Sequence, residues 1–89
     1  MIQLNYRDAK PIYEQIKEGI RKLVVSNALS ANEKLPSVRE MASKLAINPN
    51  TIQKAYRELE GEGYIYTVVE KVPLLRNEKR YLRPDRVNY

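Results

Sequence analysis

The chain has 89 residues, 43% of them hydrophobic and 30% charged, with a formal net charge of +5 and a pI near 9.6. That length supports one small domain with a thin core and leaves no room for a second, metabolite-binding domain. With neither Cys nor His, disulfide staples, zinc fingers, thiol nucleophiles and histidine acid–base chemistry are excluded, and no cofactor or metal is expected.

Residues 1–10 read as a lead-in in which Ile2 and Leu4 alternate with polar positions. Pro11 suits the first turn of a helix, where its missing N–H costs nothing. Ile12, Ile16, Ile20, Leu23 and Val24 then recur at helical steps and draw one apolar stripe. Glu14, Lys17, Glu18, Arg21 and Lys22 fall largely on the other side. A first helix is expected over 11–27, with Glu18–Lys22 and Glu14–Lys17 at favourable spacings for surface pairs. Residues 26–34 are small, polar and helix-breaking and read as a loop, and Lys34-Leu35-Pro36 as a short extended piece, because the residue before a proline is driven out of the helical region.

Ser37-Val38-Arg39-Glu40 is a capping box: the Ser37 hydroxyl accepts from the Glu40 amide while the Glu40 carboxylate reaches back. Val38, Met41, Ala42 and Leu45 follow at helical spacing, so a second, short helix is expected over 37–45, and Ala46-Ile47 reads as a tight turn. Asn48 is a good N-cap and Pro49 a good first helical residue. Ile52, Ala55, Tyr56 and Leu59 make the inward stripe of a third helix over 48–62, stopped by Gly63. Residues 64–69 are aromatic and β-branched and read as a strand. Val72, Leu74 and Leu75 form a candidate second strand, with Pro73 confining it to an edge. Residues 76–89 read as charged and irregular.

Two short helices joined by a tight turn form a helix-turn-helix, and three helices followed by a β-hairpin form its winged variant: a mostly α fold with a small β wing. Residues 1–70 are expected to form the winged helix-turn-helix domain, and residues 71–89 a second wing strand and a basic tail, a candidate for dimerisation or partial disorder. A helix that enters a DNA major groove must present a polar outer side. Asn48, Asn50, Thr51, Gln53 and Lys54 project away from the apolar stripe. Asn and Gln both donate and accept, which suits adenine edges; Thr51 can meet a thymine methyl or a phosphate; Lys54 can reach guanine acceptors or the backbone. The helix N-terminus adds free amides and a positive dipole. Glu58, Glu60 and Glu62 crowd the other end and should point away from a polyanion. Arg39 is placed to grip a phosphate or a guanine; Ser37 lies beside it, and Lys44 and Arg57 are further phosphate candidates. The net charge has the right sign but is unevenly spread, with 10 Lys and Arg against 8 Asp and Glu in the first 66 residues and 6 against 3 in the last 23. The body must therefore attract DNA by local clustering. The same polar residues would equally serve as the solvated face of two amphipathic helices.

The runs Pro11-Ile12-Tyr13-Glu14-Gln15-Ile16, Lys34-Leu35-Pro36-Ser37-Val38-Arg39-Glu40-Met41-Ala42 and Asn48-Pro49-Asn50-Thr51-Ile52-Gln53-Lys54-Ala55-Tyr56-Arg57-Glu58-Leu59 resemble the N-terminal domain of GntR-family transcription regulators, in particular the YtrA-type branch. The resemblance spans about residues 5–67 and implies operator binding as a homodimer, usually for repression, with a separate C-terminal domain for dimerisation and effector sensing, so that no effector is expected on this chain. It implies that Arg39 contacts DNA and that contacts from the start of the recognition helix fall on Asn48, Asn50 and Thr51. Many relatives carry arginine where this chain has Pro49 and Gln53, which implies different base preferences. Relatives commonly place a Gly-Lys-Gly tip where this chain has Val69-Glu70-Lys71-Val72-Pro73, so a tight glycine wing is absent and Lys71 is left as the wing's phosphate candidate.

No apolar run approaches a membrane span and the N-terminus lacks the layout of a signal peptide; a cytoplasmic protein, associated with the nucleoid through DNA, is expected. An enzyme is not expected, since nothing marks a buried pair among the carboxylates. The competing reading is a winged-helix module for protein interaction or dimerisation without operator binding, for which Val68, Val69, Val72, Leu74, Leu75, Tyr81 and Leu82 supply an apolar tail.

Overall fold

The computed structural model describes residues 2–72 and 76–85. Three helices come first, α1 (Ile12–Val25), α2 (Val38–Leu45) and α3 (Pro49–Gly61), followed by two strands, β1 (Tyr66–Val72) and β2 (Arg76–Leu82). The expected winged helix-turn-helix is present.

The helices start and stop where local chemistry tells them to. Pro11 caps α1 in an extended conformation without a side-chain cap, and the helix ends at Val25, before Asn27 turns left-handed at φ 61°. The capping residue of α2 is Ser37, whose hydroxyl accepts from the Glu40 amide at 3.1 Å. Ala46 adopts φ 54° after α2 and the Ile47 amide returns to the Ala42 carbonyl at 3.0 Å. This left-handed alanine, a conformation that costs an L-residue about 1–2 kcal/mol, makes the sharp turn between α2 and α3. Asn48 caps α3 by accepting from the Asn50 amide at 2.8 Å, and Gly63 takes φ 86° beyond its end.

Ile16, Ile20 and Val24 of α1, Met41 of α2, and Ile52, Ala55, Tyr56 and Leu59 of α3 are buried in one core. Leu29 and Leu35 enter the same core from the 26–37 connection, and Ile65 and Tyr81 close it from the wing. Tyr56 and Tyr81 meet edge to face, with ring centroids 4.7 Å apart at 70°. The Tyr56 hydroxyl donates to the Pro36 carbonyl at 2.7 Å, and burial pushes its pKa well above the usual phenol value.

The wing departs from the sequence expectation. The first strand lies two residues later than read, at Tyr66–Val72, on both sides of position 70, and the stretch expected to be its tip is mostly strand. Its partner is Arg76–Leu82 and not Val72–Leu75: Val72 closes β1, and Leu74 and Leu75 lie outside the described residues. The pairing is antiparallel, from Tyr66 opposite Leu82 to Val72 opposite Arg76. The Lys34-Leu35 piece is extended as expected and adds a third rail at the wing's root. Lys34 bridges to Leu82, and the Leu35 amide donates to the Tyr81 carbonyl at 2.8 Å.

A second surprise is Lys17. Read as a solvated residue of α1, it is 7% exposed. Its ammonium donates to Glu58 Oε1 and Glu62 Oε2, both at 2.8 Å.

Candidate nucleic-acid interface

With Ile52, Ala55, Tyr56 and Leu59 turned inward, α3 presents Asn50, Lys54 and Arg57 on its outer side, all exposed. Asn48 is exposed beside them, and Thr51 and Gln53 are half-buried on the flanks. The first turn of α3 contains no acidic residue, so nothing neutralises the positive end of its dipole. The protein's own tail, as far as residue 85, covers neither Asn50 nor Lys54.

Two of the expected reading residues are already engaged. Gln53 does not project freely: its Nε2 donates to the Tyr81 hydroxyl at 3.1 Å, because its place on the helix turns it towards the wing. Lys54 leans the other way, with Nζ 4.1 Å from the centroid of the Tyr13 ring on α1. An exposed cation–π contact of this kind is worth about 0.5–1 kcal/mol, weak enough to be exchanged for a phosphate.

The Arg39 side chain, exposed on the first turn of α2, makes no hydrogen bond or ion pair among the described residues; neither do the side chains of Lys44 and Arg57. The same holds for Lys71 on β1 and Lys79 on β2. Ser37, half-buried, spends its hydroxyl acceptor on the helix cap. A groove of about 760 Å³ runs between α2 and β2, lined by Arg39, Glu40, Lys44, Gln53, Lys79 and Arg80 among others. Arg39 and Lys44 of the helix-turn-helix and Lys79 of the wing thus border one opening.

The acidic end of α3 is held away from it. Glu58 and Glu62 bind Lys17, and Glu62 also accepts from Arg21 at 2.8 Å. Hydrogen bonds from Lys17 and Arg21 hold the Glu62 carboxyl below the usual carboxylate range. Burial alone would lower the Lys17 pKa, but the bonds to Glu58 and Glu62 more than offset it and the net direction is up.

Residues 12–71 match the family of bacterial regulatory proteins described as the gntR family. The chain belongs to the GntR family. The HTH-type transcriptional repressor YtrA of Bacillus subtilis is 48% identical over 68 residues, which are 76% of this chain and 52% of that protein. The structure of YtrA from Sulfolobus acidocaldarius, a GntR-family transcription factor, superimposes with a TM-score of 0.79 at 38% identity over 97% of this chain and 82% of that one. A transcriptional antiterminator from Listeria monocytogenes EGD-e gives 0.81 at 37% identity, over 100% of this chain and 63% of its own. These likenesses place the chain in the YtrA-like branch. It spans about half the length of the Bacillus YtrA.

Within this GntR domain the residues that sequence reading passed over lie on β2. Arg80, half-buried, donates from Nη1 to Glu40 Oε1 at 3.0 Å and has Glu70 and Glu78 within 3.7 and 3.6 Å. Glu70 in turn holds Lys34 at 2.7 Å. The hydrogen bond from Arg80, then that from Ser37, lowers the Glu40 pKa. A charge chain therefore connects the rail before α2, both wing strands and the first turn of α2. Nothing in the run Asn77-Glu78-Lys79-Arg80 alternates polar with apolar, so the sequence alone carries no strand signal there.

Proposed function

We propose that this chain is the DNA-binding part of a GntR-type transcription regulator, reading a duplex with the first two turns of α3 in the major groove and gripping the backbone with Arg39 and the wing. The observation that carries this reading is the sorting of charge on and around α3. The first two turns and N-terminal end are polar, capped and free of carboxylates, with Arg39, Lys44 and Arg57 unpaired nearby, whereas of the carboxylates at the other end Glu58 and Glu62 are consumed by α1 and Glu60 is exposed. In this reading Arg39 contacts a base edge or phosphate, and Asn48, Asn50, Thr51 and Lys54 work at the groove. Gln53 reads from a fixed orientation, Ser37 holds Arg39's turn, and Arg57 and Lys71 meet phosphates. Repression by a homodimer, with two half-sites about one helical turn apart, and a cytoplasmic location fit the same reading, as do the absence of catalysis and of effector binding on this chain. No helix among the described residues is long and apolar enough to cross a membrane.

The test is duplex selected by this chain from a random pool, titrated over a range of salt. Several Lys/Arg–phosphate contacts give an affinity that falls steeply as salt rises. Arg39→Ala is expected to cost about 1–3 kcal/mol of binding, the range for a good base contact. Salt-insensitive or absent binding would instead favour a protein partner, and unchanged affinity in Arg39→Ala would remove Arg39 from the site.

A further inference from the structure

The wing's root and its upper part are held by different means. At the root, backbone bonds join Leu35 to Tyr81, Asn32 to Arg83 and Arg83 to Glu33, at 2.8, 2.8 and 3.1 Å. Above the root, the bond from Arg80 to Glu40 joins β2 to α2. Arg76, at the start of β2, lies four strand steps beyond Arg80, a lever of about 13 Å at the usual strand rise. A tilt of roughly 10° at Arg80 would then move the top of the wing by about 2 Å, enough to unmake a hydrogen bond to a phosphate. The cation that rides on this lever is exposed Lys71, opposite Asn77 and about 10 Å above Arg80 at the usual strand rise, while exposed Lys79 stands beside Arg80 itself and turns with it.

We propose that Glu40 and Arg80 are positioning residues for DNA binding. Their ion pair is a strut that sets the wing at the angle where Lys71 and Lys79 reach the same duplex as Arg39, without either residue touching DNA itself. The inference rests on the DNA-binding reading above. Three features single out this pair. Arg80 is drawn on by three carboxylates, Glu40, Glu70 and Glu78, which is a poor arrangement for a phosphate ligand. Its Nε is buried without a hydrogen-bond partner, 3.7 Å from Glu70 Oε2, so that edge of the guanidinium faces the wing and is closed to a ligand. And Glu40 follows Arg39 directly, so the wing is referenced to the turn that carries the main candidate for DNA contact.

The proposal predicts a sign opposite to simple electrostatics. Glu40→Gln removes a negative charge next to the proposed interface, and on charge alone it would tighten binding to a polyanion. As a strut variant it should weaken it. Glutamine also serves at this position of a capping box, so the start of α2 is preserved. Anisotropy titrations with the selected duplex at fixed salt should show Glu40→Gln and Arg80→Gln each binding about two- to five-fold more weakly, the size expected of a partly exposed ion pair. The double variant should be no weaker than either single one. Equal or tighter binding by Glu40→Gln overturns the strut, as does full additivity of the two. Amide exchange of the free protein supplies a readout independent of DNA. Glu40→Gln should speed exchange in the upper part of β2 while leaving α3 unchanged, and unchanged β2 exchange also counts against the strut. If the wild-type chain selects no duplex, the DNA reading fails while this second arm still decides whether the pair holds the wing.

Discussion

Lys17 and Arg80 do the same chemistry at opposite sides of the molecule. Each cation spans two elements and ends on carboxylates at hydrogen-bond distance, 2.8 Å for Lys17 and 3.0 Å for Arg80. They differ in their surroundings. The Lys17 side chain is 9% exposed, pressed into the seam between α1 and α3, whereas Arg80 and Glu40 are 25% and 53% exposed at the edge between the wing and α2. Distance does not rank such pairs; solvent does. A surface pair is screened and is worth little to folding, while a cation that loses its carboxylates in a dry place, or carboxylates that lose their cation, cost much more. The seam is therefore a stability device, and the edge is left free to act through geometry. The same division ties Glu58 and Glu62 to α1, at the end of α3 away from the open cationic groove, and leaves Glu60 exposed there.

The largest effect expected from this contrast is on Lys17. Lys17→Ala should lower the unfolding free energy by about 1–2 kcal/mol, less than the penalty for breaking a fully buried pair because Glu58 and Glu62 keep some access to water. Arg80→Gln should cost under about 0.5 kcal/mol. Urea unfolding of the two variants checks both. A larger loss for Arg80→Gln than for Lys17→Ala would invert the contrast and make the wing edge the structural side.

How much of this was legible in the sequence follows from range. The Ser37 cap, the Asn48-Pro49 start and the inward stripe Ile52-Ala55-Tyr56-Leu59 are local signals, read within one or two helical turns, and all three stand in the structure, although the Glu40 carboxylate that should reach back to Ser37 bonds Arg80 instead. Lys17 was misplaced because helical periodicity sets the angle of a side chain but not what packs across it. Its partners lie 41 and 45 residues away. β2 was missed because pairing decides a strand. Arg76 to Leu82 carries four charges, three of them consecutive at Glu78, Lys79 and Arg80, and becomes a strand only because β1 and the Lys34 rail supply partners for its backbone. The site was legible as a set of residue types. That Gln53 is tied to Tyr81 and Lys54 rests on Tyr13 depends on 28- and 41-residue separations that no motif records.

A smaller effect sharpens the picture of the seam from its outer face. Gly61 sits in the last turn of α3, with nothing within 4 Å of where a Cβ would stand. Gly61→Ala should stabilise by about 0.5–1 kcal/mol, by cutting the freedom of the unfolded chain, and raise Tm by a few degrees. Gly19 is the control: a Cβ there would come within 3.1 Å of Ile2, so Gly19→Ala must push the Ile2 side chain back by a few tenths of an ångström and should bring a smaller gain or none. Equal gains at both sites would mean that the arm does not pack on α1 in solution.

The acid limb gives the smallest and most discriminating signal. Glu62 and Glu40 both have folded-state pKa values below the ordinary 4.5, one held down by Lys17 and Arg21, the other by Arg80 and Ser37. A carboxylate lowered in this way binds protons more weakly folded than unfolded. Its contribution is whole above about 4.5 and is lost as pH falls through the lower folded value. Unfolding free energy should therefore be level down to about pH 5 and decline below it. Glu62→Gln removes one of the groups responsible, so its curve should start lower at neutral pH and converge on the wild type in acid. Glu40→Gln should converge in the same way but from a smaller offset, and added salt should shrink that offset more than the one at Glu62, because screening acts most on exposed pairs. Parallel curves for Glu62→Gln and wild type throughout the acid range would mean that the carboxylate's pairing with α1 contributes nothing to the fold. The seam and the edge would then differ in exposure alone.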